Sequence, residues 1–364
     1  MTPEYTSVPW TDGTVEDALQ ASAAGKTLPL ANYSITAKNG KTYTGVLVGG
    51  NPFAHNPHPV TLQAVLIPLV VQIVGKRNGF FDPTAPDPCD GGISAVIRFI
   101  ASPVVNPSEL TFNGVDVGYY QYVDGFMRAE FWNEITQFHG GAGYSNPIQW
   151  TYFPEFVLPV FVDPATARVN GSGCAQYGLV SKPLLDQNIR NIAIPLLQAA
   201  GVIAPNQLAM FLLRNVASKN PPLGGSGCCT KGYHSAVGNP PQTYAVVDFN
   251  TSTNTVFGAV HDITTSVHEL AEWMNDPLLS NTTPPWGGTG QVSGCNTGLE
   301  VGDPLTGTVL NFPGYGSTYH PQEIAFFSWF FNARHTPSLG AGGVFSSNGT
   351  FNGPAKKCPP GGSY

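Results

Sequence analysis

The chain has 364 residues, enough for one large domain or two average ones around a sizeable core. Only 11 % of it is charged, about half the usual share, and its net charge of −7 leaves nothing to neutralise a row of nucleic-acid phosphates. The 21 Phe, 14 Tyr and 6 Trp need a core and exclude a disordered chain, while 42 Gly and 33 Pro mark a loop-rich one.

No signal-peptide pattern opens the chain, and Met1-Thr2-Pro3 reads as a start residue on a mature protein. Residues 1–58 are polar with short β-like stretches such as 43–48, and read as a β-rich lead-in segment. The most apolar run, 60–74, is broken by Gln63, Pro68 and Gln72, so it is too short to span a bilayer and reads as one or two strands. Residues 119–135 space Tyr119, Val123, Phe126, Met127 and Phe131 as one face of a helix, with Asp124 and Arg128 four apart. Residues 181–200 predict another helix, and 208–213 and 244–249 predict strands. An apolar helix over 321–331 docks into the core, and a Gly/Ser-rich tail follows. Residues 59–364 are thus expected to form one α+β domain.

Six cysteines (Cys89, Cys174, Cys228, Cys229, Cys295, Cys358) lie in Gly/Pro/Ser/Asp-rich stretches without C-x-x-C spacing. They predict a disulfide framework in an oxidising, extracellular setting, and they disfavour a zinc knuckle.

The chemistry concentrates in residues 261–277. With His268 set at 0°, a helix puts Glu272 at about 40°, Asp276 at about 80° and Glu269 at about 100°. Ile263, Val267, Leu270, Ala271 and Met274 fall on the other side, so one face is expected in the core and the polar one in a cleft or solvent. Pro277 ends the helix; Asp262 as N-cap would leave His261 outside it. Such a stripe is ordinarily a solvated face. Here, however, a chain with 23 acids places three of them within eight positions, beside a histidine. The order His-Glu-x-x-Glu repeats H-E-x-x-H with a carboxylate as the second ligand, leaving Glu269 to polarise a water. The carboxylate makes a harder, more anionic site, which weakens the case for zinc and admits calcium or manganese; zinc is the expected ion and calcium the alternative.

A third ligand must come from elsewhere. Glu300, 28 residues after Glu272, is the first candidate and Asp303 the next, both in a Gly-flanked loop. His234, just before the strand at 244–249, could serve an oxyanion or add a ligand. No G-x-S-x-G elbow, P-loop or dinucleotide fingerprint occurs.

Four strings (S-V-H-E-L-A-E-W-M-N-D-P, G-L-E-V-G-D-P, G-Y-H before a strand, and the segment from Asp116 to Trp132) resemble secreted bacterial metallopeptidase-like proteins, which are distantly similar to the plant Exordium (phosphate-induced protein 1) family. The likeness covers most of 60–335. It implies a zincin-like fold, a mixed sheet packed on a central motif helix, with metal ligands His268, Glu272 and Glu300 and general base Glu269. Plant members carry apolar or small residues at His268, Glu269 and Glu272, so the fold alone does not imply catalysis. The expected protein is therefore a secreted, monomeric metallohydrolase acting on protein or peptide, without nucleic-acid or membrane partners. The alternatives are a non-catalytic cell-surface protein with a calcium site, and a metal-free acid hydrolase using paired carboxylates.

Overall fold

The computed structural model describes residues 4–5, 8–137, 143–161, 163–224, 229–251, 255–314, 316–332, 337–339 and 344–352. The protein is α+β, built on a curled mixed sheet of 11 strands. In chain order these are β1 (Glu4–Tyr5), β2 (Leu62–Ile73), β3 (Phe80–Phe81), β4 (Ile148–Tyr152), β5 (Phe156–Val160), β6 (Ala167–Asn170), β7 (Tyr177–Ser181), β8 (Leu208–Arg214), β9 (Val216–Lys219), β10 (Thr230–Val237) and β11 (Gln242–Phe249). Their order is β6-β7-β9-β10-β11-β8-β2-β3, with β1 on β10 and both β4 and β5 on β2.

The apolar run at 60–74 is one strand, β2. Pro68 has no N–H to give, and it falls where the neighbouring strand changes: β4 pairs as far as Leu66, β5 from Leu69. β8 lies between parallel neighbours β2 and β11, and both its faces are covered. Leu208, Met210 and Leu212 enter one core, and Ala209, Phe211 and Leu213 the other, which explains an unbroken apolar sequence.

The second core rests on the segment predicted as one helix over 181–200. It is instead Lys182–Asn188 and Ile194–Ala199 joined by a π turn at Ile189–Ala193. Pro195 cannot bond back four residues and crowds that carbonyl, so the widened turn precedes it.

The first core packs around α1 (Tyr122–Glu130), α2 (Thr264–Asn275) and α3 (Phe327–Phe331). The helix predicted over 119–135 is shorter, because Tyr119 and Tyr120 end the strand Val115–Tyr120 and Phe131 separates α1 from a helix at Trp132–Thr136. Arg128 and Asp124 secure the chain at 144–146: Arg128 donates to the Tyr144 carbonyl, and Asp124 accepts from Ser145 Oγ and Asn146 N. The helix expected over 321–331 begins only at Phe327. Before it the backbone is committed to other segments: Ala325 N donates to Val301 O, and Phe326 N to Phe345 O. From the lead-in, the hairpin Leu30–Thr36 and Thr42–Val48 sends Tyr33, Tyr43, Leu47 and Val48 into the same core.

The disulfide Cys89–Cys174 links the turns at 88–90 and 173–175; Cys229 and Cys295 are disulfide-bonded as well, and no described cysteine is free. Cys228 and Cys358 lie outside the described residues. Among those described, no helix is long and apolar enough to cross a membrane.

Glu130 is fully buried where the three helices meet. It accepts from Phe327 N at 2.7 Å and Asn275 Nδ2 at 2.9 Å. Burial pushes its carboxyl from 4.5 up to about 8. Between those values the folded chain holds a proton that the unfolded chain releases, so stability falls as pH rises, by up to about 1.4 kcal/mol per unit. Glu130→Gln removes that slope. In denaturant titrations from pH 5 to 9, the variant should gain on the wild type up to pH 8 and then level off; a pH-independent difference would contradict this.

Candidate metal centre

α2 crosses the face of β10 and β11. Its limits follow from its sequence: Asp262 stands just outside at φ +31°, its Oδ1 accepting from Ile263 N, while Asn275 is the last helical residue before Asp276 and Pro277. His261 is outside the helix and its N–H donates to Thr264 Oγ1 at 3.1 Å. Ile263, Val267, Leu270, Ala271 and Met274 are buried as predicted, but the polar stripe does not face solvent. His268, Glu269 and Glu272 are 0 %, 1 % and 3 % exposed. β10, the 299–305 loop and Tyr5 close over them, contacts far apart in sequence that a helical wheel cannot register. Gly232 on β10 permits the close approach, since a Cβ there would stand 2.5 Å from Thr265 Cγ2 and 2.7 Å from Glu269 Oε1.

The two histidines are oriented in the same manner. Gln322 Nε2 donates to Gly302 O at 2.6 Å, which turns Gln322 Oε1 toward His268 Nδ1 at 3.1 Å. His268 Nδ1 is therefore the donor, and Nε2 points inward, 3.1 Å from Glu272 Oε1 and 3.6 Å from Asp303 Oδ1. His234 Nε2–H donates to the Asp276 carbonyl at 3.1 Å, leaving Nδ1 to face Glu269 Oε2 at 3.2 Å and Glu272 Oε2 at 3.8 Å. Glu272 thus stands between them, one oxygen toward each ring, and Oε1 also accepts from Gly302 N at 3.1 Å. A second ring nitrogen held by a carbonyl acceptor is the usual outer support of a metal-binding imidazole.

Glu300 and Asp303 complete the group, 7 % and 8 % exposed. Two overlapping sets of donor atoms lie within 4.8 Å: His234, Glu272 and Glu300; and His268, Glu269 and Glu272. All six sequence candidates are therefore brought together, but the sets differ from the expected one: it is His234, not His268, that stands with Glu272 and Glu300. Asp276, at the end of the predicted stripe, accepts from the N–H groups of Ser280 and Asn281 and shapes the turn after the helix. Gln322, Gln291 and Tyr5 had no sequence signal. Gln291 donates to Asp303 and brackets the Tyr5 backbone, and the Tyr5 ring stacks on His268 with centroids 3.8 Å apart.

Crowding of acids governs the electrostatics. Burial and the Glu272 charge push Asp303 up to about 7, and the same causes raise Glu300 well above the ordinary carboxylate range. Burial raises Glu269 and would raise Glu272, but the His268 charge holds Glu272 below its usual value. Burial opposes charge on His268, and the neighbouring Glu272 outweighs it, so that its pKa lies well above the ordinary one. The pocket is built to hold positive charge, as protons or as a cation.

No protein family, curated protein or solved structure matches the chain.

Gly302 offers a check on this geometry, because a Cβ there would stand 2.5 Å from His268 Nδ1 and 2.6 Å from Cε1. Gly302→Ala should cost about 1–3 kcal/mol by overpacking. Gly294→Ala, where nothing lies within 4 Å, should stay within about 0.5 kcal/mol of wild type. Equal losses in denaturant unfolding would show that the loop does not press on the ring.

Proposed function

We propose that the protein is a secreted, metal-dependent hydrolase acting on peptide bonds. Glu272, which has one oxygen toward each ring, would hold a divalent cation with His268, and Asp303, 3.6 Å from His268 Nε2, and Glu300, which stands with Glu272 and His234, would have to turn toward it to complete the site. Glu269 would take the proton of the attacking water, and His234, within hydrogen-bonding distance, would orient Glu269 and share that proton. The observation that carries this reading is the inward Nε2 of His268: it is buried, its ring is fixed through Nδ1, and it faces the carboxylate oxygens Glu272 Oε1 at 3.1 Å and Asp303 Oδ1 at 3.6 Å, a contact that needs positive charge, either a proton on Nε2 or a cation. A cation resolves that contact directly. Glu269 Oε1, also buried without a partner, is the free oxygen a general base needs. Nitrogen among the donors favours zinc over calcium, which takes oxygen ligands. Secretion is proposed from the disulfide and the sparsely charged composition.

A second reading, a purely structural cation in a non-catalytic protein, is favoured by the sealing of the cluster. Elemental analysis with peptide-library cleavage separates the two. About one zinc per chain is expected, with a melting temperature that falls on chelation. Glu272→Gln should lose both the ion and the chelation effect, while Glu269→Gln should keep the ion and lose about 10²–10⁴-fold in kcat. Binding without any cleavage would leave the structural reading. Cleavage that survives exhaustive chelation, or full activity in Glu269→Gln, would overturn the metallohydrolase.

A further inference from the structure

A hydrolase of peptides must admit a peptide, and the cluster is covered. Most of the cover is core: α2, β10 and β11 belong to the packed sheet and helix layers. β1 differs. It lies parallel to β10 with Glu4 opposite Thr230 and Tyr5 opposite Gly232, and Val8 continues the register opposite Ser235, whose Oγ donates to Val8 O at 2.5 Å. It takes the edge of β10 from Thr230 onward, Thr230 being the single position, opposite Ser218, where β9 still pairs. On its other side, among the described residues, there is no strand. A side chain plays that part instead: Tyr5 N donates to Gln291 Oε1, and Gln291 Nε2 donates to Tyr5 O, each at 2.6 Å. The segment is held as a strand-addition ligand is held, by backbone bonds along an edge and one side chain in a recess.

The recess is formed over His268. The Tyr5 ring stacks on the imidazole at an interplanar angle of 25° and is 2 % exposed, yet its hydroxyl ends buried without a well-formed hydrogen bond. The contact is made chiefly through the ring, and the hydroxyl reaches no more than the side chain of Thr265. Directly after this stretch the chain is anchored independently: Trp10 packs with Ala18, Val46, Ala236 and Leu278, its Nε1 donates to Gly238 O, and Asp12 accepts from Gly238 N. The chain from Trp10 onward thus has anchors of its own, separate from the contacts of Tyr5.

We propose that Glu4, Tyr5 and Val8 are a tethered occupant of the peptide-binding groove. The ligand class that replaces them is an extended peptide, bound along β10 with an aromatic side chain stacked on His268. This deepens the hydrolase reading and rests on it for the fate of the bound peptide. The groove itself is tested by binding.

The test uses the full chain carrying Glu269→Gln, so that nothing is cleaved, and a fluorescent peptide with the sequence of residues 3–9. Adding Tyr5→Ala to the chain should tighten peptide binding at least ten-fold over the chain that retains Tyr5, and Gln291→Ala, which loosens the clamp without touching the ring, should act in the same direction. The peptide carrying Tyr5→Phe should bind as well as the parent, and one carrying Tyr5→Ala at least ten-fold worse. In the unaltered chain, the amides of Tyr5 and Val8 should exchange with deuterium well before those of β11. Failure of the peptide to bind either variant, equal binding of the Tyr5→Ala peptide, or exchange of Tyr5 and Val8 only with β11 would overturn the groove. Intact binding without cleavage by any Glu269-containing chain would overturn the hydrolase and leave the groove standing.

Discussion

Carboxyl groups crowded where water barely reaches are the constraint on which this protein turns. Glu269, Glu272, Asp276, Glu300 and Asp303 are each less than 10 % exposed, with two imidazoles among them. Full ionisation of such a set without compensation would cost more than a domain's whole stability. The fold meets this with distributed donors. Backbone N–H groups serve Glu272 and Asp276, a glutamine serves Asp303, and a carbonyl or amide oxygen fixes each histidine so that its other nitrogen enters the cluster. Another buried charge is treated differently: Lys231 and Asp248, both fully buried on neighbouring strands, simply neutralise each other. The ion pairs around Glu272 are made with histidines, whose charge depends on a proton, and the proposed cation would take the part that Lys231 plays for Asp248.

The sheet explains how so polar a group can stand inside an apolar molecule. β8 and β2 bury both faces with aliphatic side chains, and they leave β10, whose sequence is T-K-G-Y-H-S-A-V, to carry polar groups toward α2. Alternation on β10 puts Gly232, His234 and Ala236 on the helix side, a small-large-small order. It gives the His234 ring room while the helix backbone comes close. The loop at 299–305 presses on the other side through Gly302. Glycine on both sides of the cluster is thus a packing requirement, set by the His268 ring and the Glu269 carboxylate.

Much of this is legible in the sequence where polar and apolar residues alternate. The motif helix can be placed because its core-facing side chains recur at helical spacing, and 208–213 and 244–249 read as strands because β-rich apolar runs are short and bounded. Residues 321–326 mislead, since every one of them is buried, and a stretch covered on all sides has no periodicity to separate helix from extended chain. Within the cluster, the spacing of His268, Glu269 and Glu272 announces itself. The loop acids Glu300 and Asp303 can be proposed from composition. Gln322 and Gln291 cannot: an amide side chain carries no chemical signature, and each acts over a fold-dependent distance, as with Gln291 and Tyr5, 286 positions apart.

Gln291 has one amide and uses all of it. Its oxygen accepts from Tyr5 N, and its NH₂ group donates both to Tyr5 O and to Asp303 Oδ1. Whatever changes the charge or position of Asp303 therefore acts on the hold over Tyr5, and whatever lifts Tyr5 alters the environment of Asp303. Such linkage is reciprocal by thermodynamic necessity: if a ligand at one place changes affinity at the other by some factor, the converse factor is equal. A cation at the cluster and an occupant of the β10 edge, as proposed, would thereby be effectors of each other. The messenger is a single uncharged side chain.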